Sequence, residues 1–182
     1  MVSDTLTRKL DLTFRHLDAN GDGVISDDDA AGLVTRMLTA FGESETSPNG
    51  SALVSSMQSY WEFLLSHADT NGDGVVDPAE FRTAMVKAYV KNDKGYQQAF
   101  APVAAATVHL ADVDNSGAVS LEEFELVQKA FNNPVENTRE GFAKLDRNGD
   151  GKLSVEEYLL AIREFYTSDD PDATGNWLFG QV

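Results

Sequence analysis

The chain has 182 residues, of which 42% are hydrophobic, and its 30 acidic against 14 basic residues give a formal net charge of −16. This charge argues against partners that need a basic face, namely nucleic acid and anionic membrane surfaces. The absence of cysteine excludes a disulfide framework, a thiolate metal site and a thiol nucleophile.

Seven segments place apolar residues at helical spacing, and they follow one another along the chain. In chain order they span residues 6–17, 30–41, 53–65, 81–89, 99–111, 124–131 and 158–165. No alternating strand pattern of useful length occurs between them. The sequence therefore predicts an all-α fold whose only β structure is a short contact between paired loops.

One twelve-residue pattern occurs four times beside these helices, at residues 18–29, 69–80, 112–123 and 146–157. Oxygen-bearing side chains recur at positions 1, 3, 5, 9 and 12, glycine stands at position 6, and position 8 is apolar. With the backbone carbonyl of position 7, this spacing supplies the roughly six to eight oxygens that Ca²⁺ requires. Ion-free turns rich in Asp, Asn and Gly would explain one such copy, but not four with the same glycine and closing acid.

The predicted metal ligands, loop by loop, are Asp18, Asn20, Asp22, Val24, Ser26 and Asp29; Asp69, Asn71, Asp73, Val75, Asp77 and Glu80; Asp112, Asp114, Ser116, Ala118, Ser120 and Glu123; and Asp146, Asn148, Asp150, Lys152, Ser154 and Glu157.

The four loops differ in how well their residues are predicted to bind Ca²⁺. The second has carboxylates at positions 1, 5, 9 and 12, and the fourth matches the pattern at every ligand position. The third has Ser116 at position 5, a weaker ligand than an acid or amide. The first closes with Asp29, which is one methylene shorter than glutamate, so we expect it to reach an ion less well with both oxygens. We therefore predict up to four Ca²⁺ ions, with Mg²⁺ competing mainly at loop 18–29.

Helix–loop–helix units normally work in pairs, so we pair the first loop with the second and the third with the fourth. This predicts an N-terminal pair at residues 1–93, a C-terminal pair at 94–168 and a tail at 169–182. Residues 91–95 are expected to form a short turn, with Gly95 as a helix stop, so both halves should pack into one compact body. Apolar Trp177, Leu178 and Phe179 predict a tail that folds back into the cleft between the halves; the alternative is a frayed terminus.

The chain resembles the calerythrin-like members of the sarcoplasmic calcium-binding protein family, which carry four EF-hands. The resemblance lies in the loop motifs, the chain length, the wide spacing between the first and second loops, and the tail with its aromatic residues and glycine. The resemblance covers nearly the whole chain. It implies a compact cytosolic calcium buffer with no enzymatic activity and no firmly established partner. In that family the second loop is often degenerate and metal-free, whereas here the loop from Asp69 to Glu80 is intact.

Three functions are open to such a chain. A buffer or transporter with Ca²⁺/Mg²⁺ sites is favoured, because the four methionines, none of them in the C-terminal half, supply little of the Met-rich groove that calcium sensors open. A sensor that exposes an apolar groove to a target protein is the alternative. A third possibility is a luciferin-type protein that binds a small ligand in a central cavity. Residues that could line this cavity are His16, His67, His109, Trp61, Tyr60 and Tyr89.

Other functions find little support in the sequence. No nucleophile elbow or phosphate loop occurs, and metal binding accounts for the acidic clusters, so we expect no enzyme. The N-terminus has no signal pattern, and no apolar run approaches the roughly 20 residues of a membrane span, so we expect a cytoplasmic protein. Calcium ions are the expected partners of a monomer, and a target protein is not implied.

Overall fold

The computed structural model describes residues 3–90, 93–134 and 138–180, with the side chains of residues 89, 90 and 93 left outside that description. Its helices are α1 Asp4–Leu17, α2 Asp27–Phe41, α3 Pro48–Ala68, α4 Pro78–Met85, α5 Asp93–Gly95, α6 Ala101–Ala111, α7 Leu121–Ala130, α8 Thr138–Leu145 and α9 Val155–Thr167, and its two strands are β1 Ala118–Val119 and β2 Leu153–Ser154. The predicted all-α fold with short β contacts between paired loops is confirmed. None of the described helices is long and apolar enough to cross a membrane.

The connection between the two halves differs from the predicted turn. Helix α4 runs on into π-helical turns at Val86–Val90. Residues 91 and 92 lie outside the described part of the chain. Gly95 does not stop a helix, because Asp93–Gly95 is helical and a second π-helical stretch, Tyr96–Phe100, leads directly into α6. The expectation of a turn that ends at this glycine was therefore wrong.

The helix that follows each loop, its exiting helix, begins inside the loop. The loop sequence therefore also carries a helix start signal. Position 9 is the N-cap of the exiting helix, and position 12 is its third residue. In the third loop, Glu123 accepts a hydrogen bond from the Ser120 N–H and donates its own N–H to the Ser120 hydroxyl. This reciprocal capping box satisfies two backbone donors that the first helical turn leaves without partners.

The loops meet in pairs through their apolar position 8. Ile25 and Val76 exchange two backbone hydrogen bonds of 2.9 Å. Strands β1 and β2 pair antiparallel, with Val119 opposite Leu153. All four of these side chains are buried. The first loop therefore pairs with the second and the third with the fourth, as predicted, while the division of the chain at residues 93 and 168 stays a prediction.

One continuous hydrophobic core runs through both halves. The Tyr60 ring on α3 lies 5.3 Å from the ring of Phe100, which in turn lies 4.2 Å from the ring of Tyr166 on α9. The Arg36 guanidinium on α2 also donates to the carbonyl of Ala130 at the end of α7, at 3.0 Å. These contacts join helices of the first pair to helices of the second.

The tail lies against the body of the protein after a short 3₁₀ turn at Thr174–Trp177. Leu178 and Phe179 are buried. The Phe179 ring is 4.5 Å from the ring of His16 and 5.2 Å from that of Phe131. The carbonyl of Leu178 accepts a 3.0 Å hydrogen bond from the buried side chain of Gln128. The tail therefore contacts α1, α7 and the residue that follows α7.

Candidate metal centres

The backbone of each loop turns in the same way between an entering and an exiting helix. The glycine at position 6 has a φ between +80° and +91° in all four loops, a region that a side chain would resist. Position 4 is also left-handed: it is glycine in three loops and Asn115 in the third, with a φ of +54°. Asparagine tolerates this conformation better than most residues. Position 4 was not predicted from the sequence, although the Asn-Gly dipeptides of three loops signal such a turn.

The carboxylate at position 1 is held toward the centre of each loop by the loop's own amides. In the fourth loop, Asp146 accepts hydrogen bonds from the N–H groups of Gly149 and Gly151, each at 2.8 Å. Asp18 and Asp69 accept the same pair of N–H groups, from positions 4 and 6, in the first two loops. In the third loop, Asp112 accepts those of positions 5 and 6. Side chains at position 3 accept the N–H of position 5 in every loop. The backbone of each loop thus fixes the side-chain oxygens of positions 1 and 3.

The acid at position 12 closes each loop by bonding to both of its ends. One carboxylate oxygen accepts the backbone N–H of position 2, and the other accepts that of position 9. In the fourth loop these donors are Arg147 and Ser154, bonded to Glu157 at 3.2 and 3.0 Å. These are the two oxygens that a closing acid offers to Ca²⁺.

Asp29 differs from the three closing glutamates in its surroundings. It is 1% exposed, whereas the glutamates are only half-buried. Four donors contact it: the N–H groups of Ala19, Asn20 and Ser26, and the Ser26 hydroxyl at 2.6 Å. Burial raises the pKa of Asp29, but these hydrogen bonds together leave that pKa below its ordinary value. The shorter side chain is drawn into the loop, where a cation must compete with all four donors.

The other acids with shifted pKa values also favour the ionised form. Hydrogen bonds from the backbones of Asp77 and Thr70 lower the pKa of Glu80. The Ser116 side chain lowers the pKa of Asp114, and the Ser154 hydroxyl lowers that of Glu157. Ionised carboxylates and amide carbonyls are the hard oxygen donors that Ca²⁺ and Mg²⁺ prefer. The donor set therefore fits a hard divalent cation.

The third loop brings its carboxylates together most closely. Asp112, Asp114 and Glu123 each place an oxygen within 4.8 Å of the others. In the described parts of the chain, no other group of three acidic or histidine side chains comes this close together. The Ser116 hydroxyl points at the position-7 carbonyl of Ala118, to which it donates at 3.0 Å. The loop that the sequence marks as poorer in ligands is thus the one with the most convergent carboxylates.

Comparison with known proteins agrees with this loop geometry. The family model of the EF-hand domain pair matches residues 103–163, and that of the EF hand matches residues 10–29 and 65–86. A calcium-binding protein of Streptomyces coelicolor, described in connection with prokaryotic calcium-mediated regulation, is 30% identical; its structure matches with a TM-score of 0.78 over 89% of this chain and 98% of that one. This chain belongs to the EF-hand family of calerythrin and the sarcoplasmic calcium-binding proteins. It is a calcium-binding protein.

Two further relatives extend over the length of this EF-hand protein. Calerythrin of Saccharopolyspora erythraea is 23% identical over 91% of this chain and 92% of its own. The amphioxus sarcoplasmic calcium-binding protein is 25% identical, with a TM-score of 0.75 and complete coverage of both chains. Calcium-loaded apo-aequorin of Aequorea victoria, at 19% identity and a TM-score of 0.69 over 94% of this chain and 95% of its own, shows the shared fold alone.

The residues predicted to line a ligand cavity do not come together in this EF-hand protein. Of the five whose side chains the structure describes, Tyr60 alone lines the central apolar cavity. His67 is exposed and stacks on the ring of Phe63 at 4.0 Å. His109 is exposed, and Trp61 lines a different groove, between α2 and α3. His16 packs on Phe179, and the Tyr89 side chain lies outside the described residues.

Proposed function

We propose that this EF-hand protein is a calcium buffer that keeps its apolar surface covered while it binds calcium. The observation that carries the proposal is the position of the tail. Leu178 and Phe179 are 2% and 7% exposed, and both line the central cavity between the two halves. A segment of the chain itself thus occupies the cleft that a sensor would offer to a target.

The rest of the described surface also favours a buffer over a sensor. Among the described residues, the large apolar side chains that are exposed are Val113 and Leu160, and single exposed apolar residues are normal on a soluble domain. Met37, Met57 and Met85 are all buried. A sensor needs a face rich in flexible apolar side chains once calcium is bound, and these residues do not supply one.

We assign the 24 predicted loop residues as the calcium ligands, six to a loop, with up to four ions bound. In the first loop we propose that Mg²⁺ competes best, because Asp29 already has four donors and reaches less far than glutamate. Mg²⁺ takes six ligands at about 2.0–2.1 Å and keeps several waters, so it depends less on a bidentate closing acid. A cytoplasmic location and a monomeric state stay predictions of the sequence.

Small-ligand binding receives less support from the cavity. The apolar cavity between the halves measures about 40 Å³, whereas sites for drug-sized ligands are about 300–1,000 Å³. A few water molecules would fill it. A chromophore would have to displace the tail or the aromatic rings that line the cavity, among them Phe100 and Tyr166.

The proposal is tested by titrating calcium in millimolar Mg²⁺ while following a dye that fluoresces on apolar surface. A buffer that stays closed should leave dye fluorescence flat or lower it as calcium binds. The Phe179→Ala variant, which opens the cleft, serves as the positive control, and Leu160→Ala serves as the matched surface control. A rise in dye fluorescence at micromolar calcium in the unaltered protein would contradict the buffer and favour the sensor.

A further inference from the structure

The tail crosses the two helices that flank the fourth loop. Helix α8 ends at Leu145, one residue before that loop, and the tail backbone lies directly on it: a Cβ placed on Gly141 would come within 2.6 Å of the Trp177 carbonyl oxygen. The Lys144 ammonium lies over the Trp177 ring, 5.3 Å from its centroid. Trp177 is therefore packed on the entering helix.

The tail contacts the exiting helix just as closely. A Cβ on Gly175 would lie 2.5 Å from the carbonyl oxygen of Ala161 and 2.5 Å from the Cβ of Glu164, both on α9. The Gly175 N–H donates a 2.8 Å hydrogen bond to the Glu164 carboxylate. Because only Asn176 separates Gly175 from Trp177, one short piece of backbone bridges α8 and α9.

The same carboxylate connects the tail to the fourth loop. A terminal nitrogen of the Arg147 guanidinium lies 2.7 Å from each Glu164 carboxylate oxygen. Arg147 is position 2 of the loop, and its backbone N–H donates to the closing acid Glu157. Glu157 and Glu164 are seven residues apart on α9, nearly two turns, and so lie on one face of the helix. Loop, exiting helix and tail thus share one charged cluster.

We propose that the tail sets the calcium affinity of the fourth loop by fixing α8 against α9. Binding of Ca²⁺ requires the entering and exiting helices at an angle that brings Asp146 and Glu157 to one ion, and EF-hands differ in how freely this angle changes. With the tail in place, the amides of the fourth loop already orient both carboxylates. The tail excludes conformations in which α8 and α9 lie at other angles, and so raises the calcium affinity of the fourth loop by preorganisation. By linkage, calcium in this loop holds the tail in place.

The connection is specific to the fourth loop. Position 2 is alanine, threonine and valine in the first three loops and arginine only in the fourth. The second loop is therefore the internal reference, because its closing acid contacts Thr70 in place of an arginine. The inference rests on the proposed assignment of the fourth loop as a calcium site and adds a residue cluster that regulates it.

The test uses glycine-to-alanine variants in a Trp61→Phe background, in which Trp177 is the sole tryptophan. Gly175→Ala adds a methyl group to the tail where it contacts α9, and Gly141→Ala adds one to α8 where it contacts the tail. Gly32→Ala on α2 is the matched control, because its Cβ would meet only the Ala19 Cβ at an ordinary 3.6 Å. Calcium is titrated while Trp177 emission reports the tail and the Gly151 and Gly74 amide resonances report the fourth and second loops.

We expect both tail variants to shift Trp177 emission to the red and to weaken calcium binding at Gly151 by about fivefold or more, the lower end of typical coupling between sites. The Gly74 transition should keep its midpoint in all variants, which also shows that they fold. Glu164→Gln, which keeps the size of the side chain, should weaken the fourth loop in the same direction.

Two results would overturn the proposal. One is a shifted Trp177 emission with an unchanged Gly151 midpoint, which would make the tail a cover without influence on the site. The other is an unshifted Trp177 emission in both tail variants, which would contradict the close contacts themselves. If the Gly151 amide does not respond to calcium in the unaltered protein, the assignment of the fourth loop fails, and this inference fails with it.

Discussion

The ammonium group of Lys9 donates a hydrogen bond of 3.0 Å to the side-chain oxygen of Asn176 and so joins the first helix to the C-terminal tail. It also lies 2.6 Å from the carbonyl oxygen of Ser168 and 3.4 Å from that of Glu164. Lys9 is 1% exposed, which is rare for lysine without such partners. The ends of the chain are therefore linked by a buried cation with an acceptor for each of its protons.

This buried lysine predicts a change of stability at alkaline pH. Burial lowers the pKa of Lys9 to about 8 from 10.5, although Asp169, Glu164 and Asp170 oppose the shift. Between these values the unfolded chain binds more protons than the folded one, so the contribution of Lys9 to the free energy of unfolding should rise from pH 8 to pH 10.5. Urea unfolding at several pH values should show this rise in the unaltered protein but not in Lys9→Met. A pH-independent difference between the two would contradict it.

The closing acid of the first loop predicts a change of metal preference. Asp29→Glu should raise the preference of that loop for Ca²⁺ over Mg²⁺, because the longer side chain can give both oxygens to the larger ion. Glu80→Asp in the second loop is the reciprocal change and should lower that preference. Amide resonances of Gly23 and Gly74 follow the two loops during competitive titration. An unchanged preference in Asp29→Glu would refute the role given to this residue.

Gln128 predicts a large loss of stability from one polar side chain. It donates to the carbonyl of Leu178 and accepts a 2.6 Å hydrogen bond from Asn133, and both contacts are buried. Gln128→Ala leaves two buried groups without partners, so it should lower the free energy of unfolding by about 1–3 kcal/mol for each group. Gln58→Ala on exposed α3 surface should change it by less than about 0.5 kcal/mol. Equal effects of the two substitutions would show that the contact between Gln128 and the tail does not stabilise the protein.

Metal removal should destabilise the protein through its charge. Each bound Ca²⁺ neutralises two charges of a chain whose net charge is −16, and each site held at 100 times its dissociation constant adds about 2.7 kcal/mol. A chelator should therefore lower the urea midpoint, and added NaCl should restore part of the loss by screening the exposed carboxylates. A midpoint that is the same with and without calcium would contradict this.

The loops and their pairing could be predicted because their determinants are local. Residue types at fixed offsets decide where a loop turns, which carboxylates face inward and which residue starts the next helix. Ile25 and Val76 illustrate this, since their position in the repeat alone indicated the contact between loops. The convergence of the three acids in the third loop could not be predicted, because it depends on side-chain conformations.

The apolar residues of the tail predicted that it folds back, but its individual contacts could not be predicted, because they join residues that are far apart in sequence. Lys9 reads as an exposed residue of an amphipathic helix until Asn176 and the end of α9 cover it. Arg147 and Glu164 read as ordinary surface charges, and no pattern shows that the Gly175 N–H donates to the Glu164 carboxylate. Most of the described residues proposed to line a ligand cavity lie outside it for a related reason. Helical spacing indicates which face of a helix is buried, but not which cavity that face lines.

The most direct test of the buffer is a calorimetric calcium titration of the full chain in millimolar Mg²⁺. We predict up to four bound ions, dissociation constants of about 10⁻⁸ to 10⁻⁷ M at the best sites, and the greatest sensitivity to Mg²⁺ in loop 18–29. A protein in which no site binds calcium more tightly than about 10⁻⁵ M under these conditions would not act as a cytosolic calcium buffer, and this result would contradict the proposed function.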